Sequence, residues 1–410
     1  MRKILNGYTD SLKDPLNRVL LLFGVIAALL PVNKVLIPGF LVLTFISCLF
    51  LKKVDISRTF IPLYLLALIF VLHLSGMLYS EHIPEAKKEL EYKMSYMVFP
   101  LLSLVVPSFR LRNIYRLLDV FTLGCMAFAL GSVAWGIKFY LQTGELTLLS
   151  YGELSHPFHP TYMAVYHTLA MTWVLYRLSF ESNKTVKSIG IVCLMTSGAY
   201  IMMLASKAGI LSMGIPLLFG VFFFSKEKNL KGLILPLMAC TIFSWASFKL
   251  IPTSGERIDA ALKTVTTGTS EADSEVAHSS VKLRQVVWKA SLKLILENPF
   301  GVGTGDTTPE LVKEYEKMGE TYAAERNLNC HNQFLQVTSE HGWPALLLLV
   351  ASMAMMLIRS IKRKEWIFMA FLLICGFNFL FESFLEVQAG IVFFCFFSLV
   401  FLNTNETQAS

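Results

Sequence analysis

The sequence predicts an all-α protein, a polytopic membrane helix bundle of about twelve transmembrane helices with one long helical loop late in the chain. Two observations lead to this fold class. Hydrophobic residues make up 54% of the chain and charged residues only 16%, whereas soluble domains are near a quarter charged. Apolar runs also recur along the whole chain, and a single long polar stretch, 251–342, interrupts them.

Each membrane-spanning helix needs roughly 20 mainly apolar residues, and about twelve runs approach that length. The fourth and the last run are short, so we expect either of them to be tilted or half-inserted. The predicted spans are 19–34, 35–51, 60–79, 94–108, 117–137, 161–178, 187–205, 208–224, 231–250, 343–358, 366–382 and 388–402.

The basic residues predict the orientation, because loops on the cytoplasmic side carry an excess of Lys and Arg. With the N-terminus inside, twenty Lys and Arg fall in the inner segments and six in the short outer connections. Both termini are therefore predicted to be cytoplasmic. The membrane domain divides into helices 1–9 (1–250), an outer loop (251–342), and helices 10–12 with a cytoplasmic tail (343–410). This distribution accounts for the net charge of +7 without nucleic acid.

The outer loop contains a segment with helical periodicity, 281–297, that carries Arg284. Lys282, Lys289 and Lys293 fall on one side of the helical wheel, which we expect to face water or anionic headgroups. Arg284 lies on the opposite, apolar side, where a guanidinium is costly unless it meets an anion. A structural salt bridge is one explanation. We favour the other, a fork for phosphate oxygens.

Two further features of the loop concern its folding. Proline and acid at the start of 307–310 predict a helix, and Leu311, Tyr315, Met318 and Tyr322 give it one apolar side over the bundle. The glycines of 301–305 are similar to a phosphate loop but lack the following Lys-Ser/Thr. We interpret them as a tight turn.

Two residues at the predicted outer surface are candidates for chemistry. His331 lies just before the chain re-enters the membrane, where an imidazole can act as a base near neutral pH, although hydrogen-bonded scaffolding is the commoner role. Lys207 lies at the break between two apolar runs, where the small residues around it would let a bulky substrate approach. The commoner role of a lysine at such a place is to snorkel to the interface. His159, Asn332 and Arg257 are further candidates for lining a substrate site.

No metal or other cofactor is predicted. Six of the seven cysteines lie inside apolar runs, so the sequence contains no zinc motif built on paired cysteines and no disulfide framework. His156 and His159 share a stiff turn, but no carboxylate stands at ligand spacing from them.

The run His331-Asn332-Gln333 and the later Glu340-His341-Gly342-Trp343 resemble the signature of the O-antigen ligase and polymerase superfamily. The stretch from Trp288 to Gly305 is similar as well. The resemblance implies a GT-C-like, metal-independent inverting glycosyltransferase of the bacterial inner membrane. Such an enzyme moves a glycan from undecaprenyl diphosphate to an acceptor hydroxyl on the periplasmic face, and the lipid bilayer surrounds it.

The resemblance also implies roles for individual residues. His331 matches the catalytic histidine, and Arg284 matches the arginine that holds the diphosphate. Lys207 stands where the superfamily has arginine, which keeps the charge but loses the two-pronged fork.

The implied activity that we favour is O-antigen ligation to lipid A-core. O-antigen or exopolysaccharide polymerisation and protein O-glycosylation (the protein O-oligosaccharyltransferase reaction) are the alternatives within the superfamily. A polysaccharide transporter or flippase is the alternative from another class. It is less favoured because the apolar runs hold few charges for an ion pathway.

Overall fold

The computed structural model describes residues 14–51, 57–250 and 281–404. Within these ranges the chain forms helices joined by turns, and the only β-structure there is an isolated bridge between Phe109 and Thr404. The predicted all-α fold is therefore confirmed. The helices before the polar segment are α1 Pro15–Leu29, α2 Ile37–Leu49, α3 Ile61–Gly76, α4 Ile83–Lys93, α5 Ser95–Ser103, α6 Leu111–Thr143, α7 Tyr151–Ser155, α8 Pro160–Phe180, α9 Lys184–Leu204, α10 Lys207–Ser212, α11 Gly214–Lys226 and α12 Lys231–Leu250.

The helices of the polar segment and of the C-terminal part follow. The last three of them correspond to the last three predicted spans. They are α13 Val281–Glu297, α14 Thr307–Lys317, α15 Thr321–Glu325, α16 Gln333–Lys362, α17 Trp366–Phe379 and α18 Gln388–Leu402, with short 3₁₀ turns at Arg58–Phe60, Thr147–Leu149 and Phe384–Glu386.

Every predicted span coincides with one of these helices or with two consecutive ones, so the chain is a polytopic membrane protein. Five of the predicted spans correspond to shorter apolar helices of the described chain, which have 10–17 residues, and five correspond to the longer helices named below. The two other predicted spans correspond to α5, which has 9 residues, and to α8, which carries several polar side chains. Five helices of the described ranges are long and apolar enough to cross a membrane, namely Arg58–Gly76, Leu111–Thr143, Lys184–Leu204, Lys207–Lys226 and Gln333–Lys362.

Helix α8 lies inside the bundle, packed against α9 and α11, and almost all of its residues are buried. Several of its polar side chains find partners there. His167 Nδ1 lies 3.1 Å from Ser197 Oγ, and the Thr168 hydroxyl donates to the Ala164 carbonyl at 2.7 Å. Because these groups are paired, a helix with this many polar side chains can be buried among apolar neighbours.

Helix α16 differs from the predicted span 343–358 because it begins at Gln333 and is broken inside. His341 (φ −134°, ψ 16°) and Gly342 (φ 69°, ψ −167°) are not helical. Only glycine fits at 342, since a Cβ there would lie 2.2 Å from the carbonyl oxygen of Pro299. The break separates a first part, which is the end of the polar segment, from the apolar part predicted to span the membrane.

The glycine-rich chain at 299–303 fills this break. The backbone N–H of Val302 donates to the Ser339 carbonyl at 2.9 Å, and that of Gly303 donates to the Glu340 carbonyl at 3.0 Å. A break in a helix at membrane depth is tolerated only where the released backbone groups find new partners. The predicted tight turn therefore also supplies hydrogen-bond donors to the backbone carbonyls at the break in α16.

Helix α14 ends earlier than the sequence indicated. Gly319 adopts φ 73°, and the N–H of Glu320 donates back to the Tyr315 carbonyl at 2.9 Å, a standard helix-ending arrangement. Leu311 and Tyr315 do point inwards and are buried. Tyr322 instead belongs to the separate helix α15, so the prediction of one amphipathic helix reaching Tyr322 is wrong.

Helix α13 spans the predicted range, but its lysine side does not face only water. Lys289 is exposed. Lys293 Nζ lies 2.5 Å from Glu314 Oε2, and Lys317 pairs with the same carboxylate. Glu314 is buried, so its ion pair with Lys293 fastens α13 to α14 rather than leaving Lys293 for headgroups.

The orientation of the bundle stays a prediction, which cysteine labelling can test. Glu316 on α14 and Lys184 at the start of α9 are both exposed. On spheroplasts, a membrane-impermeant maleimide should label Glu316→Cys directly and Lys184→Cys only after permeabilisation, because the first is predicted outside and the second inside. The native chain is the negative control for labelling, since six of its cysteines are buried and Cys193 is half-buried. The reverse labelling pattern would contradict the topology.

Candidate functional site

A cavity of about 230 Å³ lies where the starts of α8 and α10, helix α13 and the turn before α16 come together. Four of its lining residues, Lys207, Arg284, His331 and His159, were candidates from the sequence, and their roles stay predictions. Its charged and imidazole-bearing lining residues are His159, Lys207, Arg284, Arg326, His331 and Glu382.

Lys207 reaches the cavity because the chain turns sharply just before it. Ala205 has a left-handed backbone conformation (φ 47°) that ends α9. The Ser206 hydroxyl then accepts the N–H of Gly209 at 3.2 Å and lies 3.2 Å from the Thr161 hydroxyl of α8. The half-buried Lys207 is thus held at the cavity wall by a fixed turn.

Arg284 lies on the side of α13 that also buries Val287 and Leu294. Its guanidinium makes a long hydrogen bond of 3.5 Å to the Phe381 carbonyl, and its central carbon lies 6.0 Å from the Phe381 ring centre. Its Nε is buried without a hydrogen-bond partner. Among the described residues Arg284 forms no ion pair, so the structural salt bridge considered above is not found there. A buried donor without a partner is costly, and an anion in the cavity would satisfy it.

His331 occupies a strained position directly before α16. Its backbone has φ 43°, a left-handed conformation that is uncommon for residues other than glycine. Neighbouring amides hold it there. The His331 N–H donates to the Asn329 side-chain oxygen at 3.0 Å, and the Asn332 side chain accepts the N–H of Phe334 at 2.9 Å and caps α16. The imidazole is partly open, with 30% of its side chain exposed.

Glu382 is a site residue that the sequence analysis missed. Its Oε1 lies 3.6 Å from His331 Nδ1, and 12% of its side chain is exposed. Burial by itself would raise the pKa of Glu382, but the nearby imidazole of His331, with His159 and Arg284, outweighs it and holds the pKa below its ordinary value. Glu382 is therefore ionised beside the imidazole. The only sign of Glu382 in the sequence is that it is a single acidic residue at the end of an apolar run.

The remaining candidates are placed differently. His159 lines the cavity and also accepts the N–H of Thr161 at 3.4 Å at the start of α8. Asn332 is not among the lining residues, because its amide caps α16 and donates to the Leu380 carbonyl at 3.2 Å. Arg257 lies outside the described residues. Arg326, which the sequence analysis did not single out, stacks 5.0 Å from the ring centre of Tyr322 at the cavity wall.

One group of residues in the described ranges could in principle hold a metal ion. His73, Glu340 and His341 offer ligand atoms within 4.8 Å of one another. The group does not suit a divalent cation, because Lys93 Nζ already lies 3.1 Å from Glu340 Oε2. The two imidazoles are also hydrogen-bonded to each other at 2.7 Å. A fixed ammonium cancels the negative charge that would attract a cation.

The fold and the cavity together define an all-α polytopic membrane protein with a basic, histidine-containing site. Residues 192–350 match the model of the family described as O-antigen ligase. This part of the chain is therefore similar to the O-antigen ligase family. The match includes Lys207, Arg284 and His331 but ends before Glu382. No curated protein matches the chain.

Replacing Arg284 by lysine should remove most of the transfer activity. Lysine keeps the charge but cannot supply the planar, two-pronged donor set that a phosphate group takes up. Lys289→Ala, on the exposed side of the same helix, is the matched control and should retain activity. Rates would be measured on purified proteins of equal thermal stability. Equal losses in the two variants would show that Arg284 has no special contact with the substrate.

Lys207→Arg should be tolerated, because arginine is the residue that the resembling proteins carry at this place and it keeps the positive charge. Lys207→Ala should bind the donor more weakly, since one of the cations at the cavity is lost. Donor binding would be measured directly with a lipid diphosphate. If the alanine variant binds the donor normally, Lys207 does not contact the donor and only snorkels to the membrane interface.

Proposed function

We propose that the chain is a metal-independent, inverting glycosyltransferase of the O-antigen ligase type. It moves a glycan from undecaprenyl diphosphate to an acceptor hydroxyl on the periplasmic face of the bacterial inner membrane. The observation that carries this proposal is the single cavity lined by Lys207, Arg284, His331 and Glu382. The cations suit a diphosphate, and the imidazole suits a hydroxyl that must lose its proton.

The leaving group is held by Arg284 and Lys207. Undecaprenyl diphosphate departs readily when the charge that develops on its oxygens is neutralised, and two cations on fixed helices can do this without reorganising. The unsatisfied Nε of Arg284 supports this role. Helix α10 continues into the apolar helix α11, and α16 continues into its apolar part, so a lipid tail can extend between helices while the glycan stays in water.

His331 takes the proton from the acceptor hydroxyl as the oxygen attacks the anomeric carbon. A new C–O bond forms to the acceptor, the C–O bond to the diphosphate breaks, and its electrons leave with undecaprenyl diphosphate. This single displacement inverts the anomeric configuration. Glu382 faces Nδ1 of His331 at 3.6 Å, so it favours the tautomer with Nδ1 protonated and leaves Nε2 to accept the acceptor's proton.

The acceptor that we favour is lipid A-core. An O-antigen or exopolysaccharide polymerase would use the same donor chemistry with a growing chain, and a protein O-oligosaccharyltransferase would use a protein hydroxyl. The lipid-linked species that accumulates in a deletion strain separates the first two. Full-length polymer left on the carrier would indicate a ligase, and single repeat units would indicate a polymerase.

A transporter or flippase is the alternative from another class. The expectation that the apolar runs hold few charges stays a prediction. The ion pair of Glu340 with Lys93 lies just outside the predicted runs 94–108 and 343–358, away from the middle of a span. An ion pathway would instead need charged or polar groups across the membrane, so the proposed transferase remains the better match.

His331→Gln should nearly abolish transfer and leave donor binding largely intact. Glutamine keeps the size and a hydrogen bond but cannot take up a proton, and general-base catalysis is worth about 10²–10⁴-fold. His331→Ala should be at least as poor. Chelators should have no effect on the native enzyme. The assay uses purified protein, lipid-linked donor and acceptor, with transfer and donor binding measured separately.

Glu382→Gln is the companion variant and should lose less than His331→Gln, because Glu382 orients the base without itself taking the proton. Retained transfer in His331→Gln would reduce the histidine to a scaffold. Loss of donor binding together with transfer would make it a phosphate ligand instead.

A further inference from the structure

A second group of charges lies buried beside the candidate site, and the proposed mechanism does not use it. Lys93, the last residue of α4, has 2% of its side chain exposed. Its Nζ lies 3.1 Å from Glu340 Oε2 and 2.8 Å from both carboxylate oxygens of Glu386. We call Lys93, Glu340 and Glu386 the buried charge cluster. All three were absent from the sequence candidates.

The two carboxylates of the cluster come from the two chain segments that carry the proposed base and its partner. Glu340 ends the first part of α16, the part that begins directly after His331 and Asn332. Glu386 lies in the 3₁₀ turn Phe384–Glu386, just after Glu382. Lys93 therefore joins these two segments through one ammonium group.

Two glutamines of α16 extend the cluster toward the site. The Gln336 amide donates to Glu340 at 2.8 Å, and its oxygen accepts the N–H of Cys330, next to His331, at 3.2 Å. The Gln333 amide donates to Glu386 at 3.3 Å. A continuous set of hydrogen bonds thus leads from Lys93 to the backbone that holds His331 in its strained conformation.

The charges in this cluster depend on one another. Burial alone would lower the pKa of Lys93, but Glu340, Glu386 and Glu89 outweigh it and raise the pKa. Glu89 lies on the same helix as Lys93, and burial raises its pKa to about 7, with Lys93 opposing and Glu386 adding to the effect. Removing the ammonium would leave the largely buried carboxyl groups facing each other without a counter-charge, so we expect the two segments to separate.

We propose that Lys93 is a positioning residue of the transfer reaction, which holds the segment of His331 and the segment of Glu382 at the spacing their contact requires. The inference rests on the proposed function. Lys93 touches neither substrate in this scheme. A displacement of about 1 Å in such a site can cost about 10²-fold in rate, so the cluster acts on turnover more than on donor binding.

Lys93→Met tests the role, since methionine has a similar size and no charge. We expect kcat to fall by roughly 10²-fold while KM for the lipid diphosphate donor changes little. Lys88→Met, at an exposed position on the same helix, is the matched control and should keep the native kcat. Thermal unfolding and gel filtration in detergent would show whether each variant is folded.

A second variant separates positioning from the need to neutralise buried charge. The triple variant Lys93→Met/Glu340→Gln/Glu386→Gln has no unpaired carboxylate in the cluster, so it should regain the stability that Lys93→Met loses. Its kcat should stay low, because amides cannot replace the ammonium as a bridge between the segments. The supporting result is normal stability with low kcat and normal donor KM.

Other outcomes overturn the proposal. A triple variant with native kcat would mean that Lys93 only balances charge. If neither variant yields folded protein, Lys93 serves stability and not the site. If native protein itself fails to transfer a glycan from the lipid diphosphate, the proposed function fails, and this outcome is distinct from native activity that Lys93→Met leaves unchanged.

Discussion

The candidate site depends on one break in one helix. Backbone N–H and C=O groups at membrane depth must find partners inside the protein, yet α16 stops being helical at His341 and Gly342. The chain at 299–303 supplies the missing donors and fills the space that the glycine leaves open. Because the break is sealed, the first part of α16 can take its own direction and hold His331 over the cavity.

The electrostatics around this break are divided into two groups. In the cavity the cations Lys207 and Arg284 stand with a single neighbouring carboxylate, Glu382, so the wall favours an anion. Beside it the acidic groups outnumber the basic one, since the buried Lys93 faces both Glu340 and Glu386. In the proposed reaction an anionic donor would meet the positive wall, while Glu340 and Glu386 are paired with Lys93.

Much of the fold could be predicted from the sequence, because the length and apolar character of a run are local properties of the chain. The apolar runs coincide with helices, and α13 has its predicted range. The placing of Arg284 on the apolar side of α13 also follows from the period of a single helix. Two helices depart from the prediction for local reasons: Gly319 ends α14, and Gly342 breaks α16.

The sequence alone determined the class of fold and which side chains are candidates for chemistry. Only the tertiary structure decided which of them share a space. Lys207, Arg284 and His331 are far apart along the chain, and helix packing brings them to one cavity. Glu382 and Lys93 escaped notice because an acid at the end of an apolar run and a lysine in a short loop have ordinary explanations. Their meaning lies in contacts with His331 and Glu340, distant partners that no local pattern in the chain predicts.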